Sequence, residues 1–86
     1  MRKFIQLEPL SQCDETRDPL FQTRVLRRVG CITYPGRVEN IEVEKVSRNR
    51  IYLIRYDDGD EDHVPEEEVI ENRVKKYSFL AKEFWI

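Results

Sequence analysis

One strand-turn-strand segment, RIYLIRYDDGDEDHV at residues 50–64, most limits what this chain can fold into. Its first half is rich in aromatic and β-branched side chains, and their alternation places Tyr52, Ile54 and Tyr56 on one face. The Asp-Asp-Gly sequence at 57–59 predicts a tight turn, because an Asp side chain caps such turns and Gly accepts a positive φ. The residues after the turn return as a shorter strand. The segment therefore predicts an antiparallel hairpin.

The sequence before this hairpin predicts further short strands. FQTRVLRRVG alternates from Phe21 and ends in a turn at Gly30. In ITYPGRVENIEV, Val38 lies in one phase and Ile41 in the opposite phase, and a β-bulge produces such a shift. The SRN sequence at 47–49 predicts the next turn. Strands of this length joined by tight turns are typical of a small, mainly β barrel.

The two ends of the chain differ from its centre. Residues 1–20 contain two prolines and no sustained periodicity, which predicts an N-terminal arm that is either loose or laid against the domain. PEEEVIE, which starts at Pro65, predicts a helical turn with acidic residues at its positive end. The tail RVKKYSFLAKEFWI predicts a helix, because its large apolar residues fall on one helical face. That face consists of Tyr77, Leu80, Ala81, Phe84 and Trp85.

These patterns divide the chain into three parts. We expect an N-terminal arm at 1–20, a barrel at 21–71 and a short C-terminal amphipathic helix at 72–86. The apolar face of this helix either packs on the barrel or docks onto a neighbouring domain or a second copy of the chain.

Length and charge limit the class of protein. At 86 residues the chain forms one small domain, and 37% of its residues are charged. The stretch 57–71 is strongly acidic and contains no Lys or Arg, whereas Arg24, Arg27 and Arg28 cluster earlier. A general nucleic-acid binder needs a continuous basic surface, so this division argues against one. A cationic partner fits the acidic stretch better.

Several other classes find no support in the sequence. No apolar run approaches the ~18 residues that a membrane span needs, and MRKFIQLEPL is a poor signal peptide, which favours an intracellular protein. Cys13 and Cys31 are far apart, so we expect two reduced thiols. The aspartate spacing does not match a calcium loop, so no metal is predicted. His63 is the single histidine and no activated nucleophile or phosphate loop is visible, so we expect no enzyme and no cofactor.

Four motifs between residues 21 and 71 carry a family resemblance. TRVLRR, TYPGRV, YLIRYDDGDEDHVP and EEEVI follow one another in this order, and with them the segment resembles a Tudor domain, a five-stranded SH3-like barrel of chromatin readers. The resemblance implies a nuclear protein whose barrel carries an aromatic cage for a methylated lysine of a basic peptide, such as a histone tail. Aromatic faces hold a methylammonium by cation–π attraction, while a carboxylate supplies the counter-charge.

The resemblance assigns the site residue by residue. Tyr34 in TYPG and Tyr56 in RYDDG match cage aromatics, and Asp58 matches the acidic cage residue. The acids expected to steer a ligand are Asp57, Asp60 and Glu61. Two positions depart from the family pattern. Arg27 stands where many methyllysine binders have an aromatic wall, and Asp60 stands where some have another aromatic residue. A cage with two aromatic walls and a nearby cation would bind weakly.

Three hypotheses for function remain. The first is a chromatin reader that binds a basic peptide, methylated or not, through Tyr34 and Tyr56. The second is a scaffold module that acts through the tail residues Tyr77, Leu80, Phe84 and Trp85. The third is a weak nucleic-acid patch formed by Arg24, Arg27, Arg28 and Arg37. Beside these, the tyrosines could be ordinary barrel residues and the acidic stretch a solvated rim.

Overall fold

The protein is mainly β, as its sequence predicts. The structure is a computed structural model that describes residues 6–74. It contains a five-stranded antiparallel sheet and two short helices. In chain order the elements are β1 (Leu7–Pro9), α1 (Gln12–Arg17), β2 (Arg24–Val29), β3 (Ile32–Glu44), β4 (Arg50–Tyr56), β5 (Glu61–Pro65) and α2 (Glu66–Asn72). No helix in this part of the chain is long and apolar enough to cross a membrane.

Strand β3 organises the sheet because it pairs with three others. It is 13 residues long, and β1 and β2 pair with different parts of it while β4 pairs along its other edge. The predicted bulge is confirmed, since the register with β4 shifts between Val38 and Asn40. The extra residue resets the alternation, so that Val38 and Ile41 both point into the core although they are three residues apart. Because of the bulge, the apolar side chains in both halves of β3 face the core.

The predicted hairpin of residues 50–64 is also confirmed. β4 has the expected bounds and pairs with β5 through a turn in which Gly59 adopts a φ of +97°. The Asp58 carboxylate accepts a hydrogen bond from the backbone N–H of Asp60 at 3.1 Å, the capping interaction that makes Asp favourable here. Pro65 then precedes α2 as its N-terminal flanking residue.

The predicted closed barrel is not confirmed. β1 pairs only with β3 and β5 only with β4 among the described residues, so the sheet remains open. After α2 the chain returns to β2 through an isolated bridge between Arg73 and Val25. The backbone N–H of Val74 also donates to the carbonyl oxygen of Arg24 at 2.9 Å. Asn72 belongs to α2 and Arg73 is extended, and the rest of the C-terminal helix predicted for residues 72–86 lies outside the described residues.

The described part of the predicted arm, residues 6–20, lies against the sheet. Besides β1, it forms α1, whose Glu15 carboxylate accepts a hydrogen bond from the Ile41 backbone N–H at 2.7 Å. The Leu10 backbone N–H donates to the Ile41 carbonyl oxygen at 3.1 Å. Both backbone groups of Ile41 are therefore bonded by the N-terminal segment. No strand or helix was predicted in this segment, because both are too short to show a clear period.

A buried carboxylate joins the N-terminal segment to β4. The Asp18 side chain is only 3% exposed and accepts hydrogen bonds from Arg50 at 2.6 Å, from the Tyr52 hydroxyl at 2.9 Å and from the Leu20 backbone N–H at 2.8 Å. A buried charge needs such partners. The apolar core around this network consists of Leu20, Val25, Val38, Ile41, Tyr52, Ile54, Val64 and Val69.

Candidate functional site

The two tyrosines named by the resemblance lie together where the core face of the sheet ends. Gly36 and Val38 follow Tyr34 on the same face of β3, and Tyr56 is the register partner of Gly36. Val38 is fully buried, whereas Tyr34 and Tyr56 are only half-buried. Their ring centroids are 6.3 Å apart with an interplanar angle of 65°, an edge-to-face contact. We call these two residues the tyrosine pair.

Gly36 is required by the position of the Tyr56 ring. A Cβ atom on Gly36 would lie 2.9 Å from Tyr56 Cδ1 and 3.0 Å from both Ile54 Cγ2 and the Arg55 carbonyl oxygen. Since real Cβ atoms do not approach this closely, no larger residue fits without moving the ring. The glycine of the TYPG motif therefore provides the surface against which one member of the tyrosine pair packs.

Arg27 occupies the side of the site where the resemblance leads one to expect a third aromatic wall. It is the register partner of Tyr34 across the β2–β3 hairpin, so the two side chains share a face. Its guanidinium donates to Glu68 Oε1 at 3.0 Å, and its Nη2 lies 3.9 Å from Asp62 Oδ2. The Arg27 and Glu68 side chains are only 20% and 18% exposed. Strand β2 is thus tied to helix α2 beside the tyrosine pair.

Asp62 is the carboxylate of β5 that lies nearest to Arg27 and acts on the tyrosine pair. Burial is the main cause that raises the pKa of the Tyr56 phenol. The positive charge of Arg27 acts in the opposite direction, while the charge of Asp62, its hydrogen bond to Tyr56 and the charge of Asp58 raise this pKa further. Burial and the neighbouring carboxylates thus outweigh the effect of Arg27 on the pKa of Tyr56.

The three predicted acidic site residues lie in the turn after Tyr56, and we call residues 57–60 the acidic turn. Asp57 is directed away from the tyrosine pair, since its carboxylate is 3.7 Å from Arg24, a residue of the opposite sheet face. Asp58 caps the turn, although its charge still affects the Tyr56 phenol. Asp60 is exposed. The turn therefore places negative charge beside the tyrosine pair.

Sequence reasoning missed Asp62 and Glu68. Asp62 is in phase with the buried Val64 along β5, so alternation alone places it on the inner face. Glu68 directly precedes the buried Val69 in α2. Both signals were visible in the sequence, but they could not show which acids would meet Arg27, because the contact between Arg27 and Glu68 joins residues 41 positions apart.

The arginines predicted as a nucleic-acid patch are divided between the two faces of the sheet. Arg27 faces the tyrosine pair, whereas Arg24, Arg37 and Arg55 are register partners on the opposite face. Arg24 is within salt-bridge distance of Asp57, and Arg55 pairs with Glu39 and Glu61. Two of the arginines on this face, Arg24 and Arg55, are therefore locally neutralised.

No metal centre is formed in the part of the chain that the structure describes, which contains no suitable group of three or more His, Cys, Asp or Glu residues. His63 lies on β5 and contacts the Glu42 carboxylate at 2.7 Å. Both cysteines are exposed free thiols. The predicted tail interface of Tyr77, Leu80, Phe84 and Trp85 lies outside the described residues.

The comparisons with known proteins do not assign the chain to a family. No protein-family model matches it, and searches of curated proteins and of solved structures find no significant match.

Proposed function

We propose that this chain is a non-catalytic, Tudor-like module that binds a basic segment of a nuclear protein, such as a histone tail. A lysine side chain, methylated or unmodified, would contact the tyrosine pair. The observation that carries the proposal is the edge-to-face contact of Tyr34 and Tyr56 at 6.3 Å beside the acidic turn. The aromatic faces attract a cation, and the carboxylates supply its counter-charge.

The path of the chain after α2 supports an SH3-like barrel architecture for this module. The bridge from Arg73 to Val25 and the hydrogen bond from Val74 to Arg24 bring the chain back to β2 after the last strand. Such a return is the connection that would close the sheet around the buried core. In such a barrel the tyrosine pair would lie at one end, where small barrels commonly bind ligands.

The position of Arg27 predicts a weak site with modest selectivity. Its positive charge next to Tyr34 opposes the entry of a second cation, while Asp62 and Glu68 offset this repulsion. Two aromatic faces surround a methylammonium less completely than three. We therefore expect binding that depends on both the tyrosine pair and the acidic turn, with a salt-sensitive contribution from the turn.

An NMR titration of the labelled chain with histone-tail peptides tests the proposal. The peptides carry unmodified, mono-, di- or trimethylated lysine, and each titration is run at low and at moderate salt. We expect shifts centred on Tyr34, Tyr56 and Asp62 that increase with methylation. Tyr34→Leu should abolish them, whereas Arg28→Ala, which alters an exposed residue of the opposite face, should not. Shifts that ignore methylation and disappear with salt would reject the cage.

A nucleic-acid function has weaker support from the same geometry. Arg28 and Arg37 are exposed on the opposite face, and neither has an ion pair with another described residue. If this face binds nucleic acid, Arg28→Glu and Arg37→Glu should each reduce affinity for DNA or RNA and flatten its salt dependence. Tyr34→Leu should then have no effect, which separates this function from peptide binding.

A further inference from the structure

Two large apolar residues are exposed at the tip of the β2–β3 hairpin. Val29 is 63% exposed and Ile32 is 56% exposed. They are register partners on either side of the turn at Gly30 and Cys31, so their side chains lie next to each other on one face. We call these two residues the hairpin ledge.

The hairpin ledge lies on the same face as the tyrosine pair. Along β2, Arg27 and Val29 alternate onto this face, and along β3 so do Ile32 and Tyr34. The ledge is therefore one step beyond the Arg27–Tyr34 pair, roughly 6.5 to 7 Å along the strands. The other face of the hairpin is polar at this level, where Arg28 pairs with Thr33.

The acidic turn and the hairpin ledge both border Tyr34, at the same end of the sheet. Because β3 and β4 are antiparallel, the residues after Tyr56 run alongside the residues before Gly36, and the Asp57 backbone N–H donates to the Pro35 carbonyl oxygen at 2.9 Å. The turn thus lies on the β4 side of Tyr34, while the ledge continues along β2 and β3. An extended ligand that runs from Tyr34 along β3 would meet the apolar ledge with the acidic turn beside it. In an extended peptide, side chains two positions apart point the same way and are spaced by the distance that separates Tyr34 from Ile32.

We propose that the hairpin ledge binds an apolar side chain of the same basic peptide, two residues from the lysine that contacts the tyrosine pair. The inference rests on the proposed function and makes its ligand more specific. The peptide would carry a lysine and an aliphatic residue that lies either two positions before it or two positions after it. The acidic turn favours a basic peptide, and the hairpin ledge favours the aliphatic residue two positions from the lysine. Val29 and Ile32 are then determinants of specificity.

The test compares two peptide series on matched variants of the full chain. Each peptide has one trimethyllysine, with either Leu or Thr two residues before or after it. Val29→Thr and Ile32→Thr make the ledge polar. Val46→Thr is the control, because Val46 is 85% exposed in the turn between β3 and β4, at the opposite end of the sheet. Tyr34→Leu reports on the pocket itself.

We expect the unchanged protein to prefer one Leu peptide over its Thr counterpart by about three- to tenfold, the range for burying one or two methyl groups. Val29→Thr and Ile32→Thr should remove most of this preference, while Val46→Thr should keep it. A preference unchanged by the ledge variants would overturn the inference and leave the proposed function intact, provided that Tyr34→Leu still abolishes binding.

The remaining outcomes are equally decisive. If no peptide of either series binds, the proposed function fails and the inference fails with it. If the ledge variants instead change the sedimentation of the protein without changing peptide affinity, the ledge is a contact between copies of the chain, and the inference is wrong.

Discussion

The ion pair between Arg27 and Glu68 can be measured by a double-mutant cycle. Arg27→Met and Glu68→Gln remove the charges while keeping most of the side-chain volume. The charged atoms are 3.0 Å apart, and the two side chains are 20% and 18% exposed. Fully exposed pairs contribute up to about 1 kcal/mol, and a hydrogen bond to a charged group contributes about 1.5 to 3 kcal/mol. Reduced for this partial exposure, the coupling energy should be about 1 to 2 kcal/mol.

Urea denaturation of the unchanged protein, the two single variants and the double variant gives this coupling energy. The control is the pair of Arg48 and Glu8, which has nearly the same separation, 3.1 Å, but side chains that are 62% and 38% exposed. Its coupling should be below about 0.5 kcal/mol. Equal coupling energies in the two cycles would refute the reasoning, because burial would then contribute nothing at the mouth of the site.

Three further predictions concern the packing and protonation of the fold. Gly36→Ala should displace the Tyr56 ring, lower stability by about 1 to 3 kcal/mol and shift the NMR signals of Tyr56; an unmoved ring would contradict the close packing. Asp18→Ala leaves the Tyr52 hydroxyl and the Leu20 N–H without their acceptor, so urea denaturation should show a loss of about 2 to 4 kcal/mol. Burial and the hydrogen bond to Asp18 raise the pKa of Tyr52, so the folded protein holds this proton more tightly than the unfolded chain. This contribution to stability is complete below about pH 10, the unfolded value, and is lost at higher pH. The stability difference between the protein and Tyr52→Phe should therefore stay constant up to about pH 9 and shrink as the pH rises above about 10; a difference that stays constant up to about pH 11.5 would contradict it.

The parts of the fold that could be predicted are those with a strong local signal. The bounds of β4 follow from its aromatic and β-branched residues, and the bulge follows from the opposite phases of Val38 and Ile41. β1 and α1 could not be predicted in this way, because a strand of three residues and a helix of six show no period. They are held by nonlocal contacts, such as the Glu15 carboxylate on the Ile41 backbone.

At the candidate site, too, the sequence predicts which residues lie on strands but not which residues pair across the strands. The sequence placed Tyr34 and Tyr56 on strands, but only the registers Arg27↔Tyr34 and Gly36↔Tyr56 bring the two rings and the guanidinium together. The acids of the turn were the obvious choice because they adjoin Tyr56 in sequence. Asp62, six positions on, lies on the inner face beside Arg27, because β5 pairs back along β4.

The β2–β3 register also changes how Arg27 is interpreted. In the sequence it was a missing aromatic wall, and its charge argued only against binding. In the structure its guanidinium lies next to two carboxylates, those of Glu68 and Asp62, so its positive charge is offset locally. Because Arg27 is held by these neighbouring acids, its presence beside Tyr34 does not by itself argue against the proposed binding of a basic peptide.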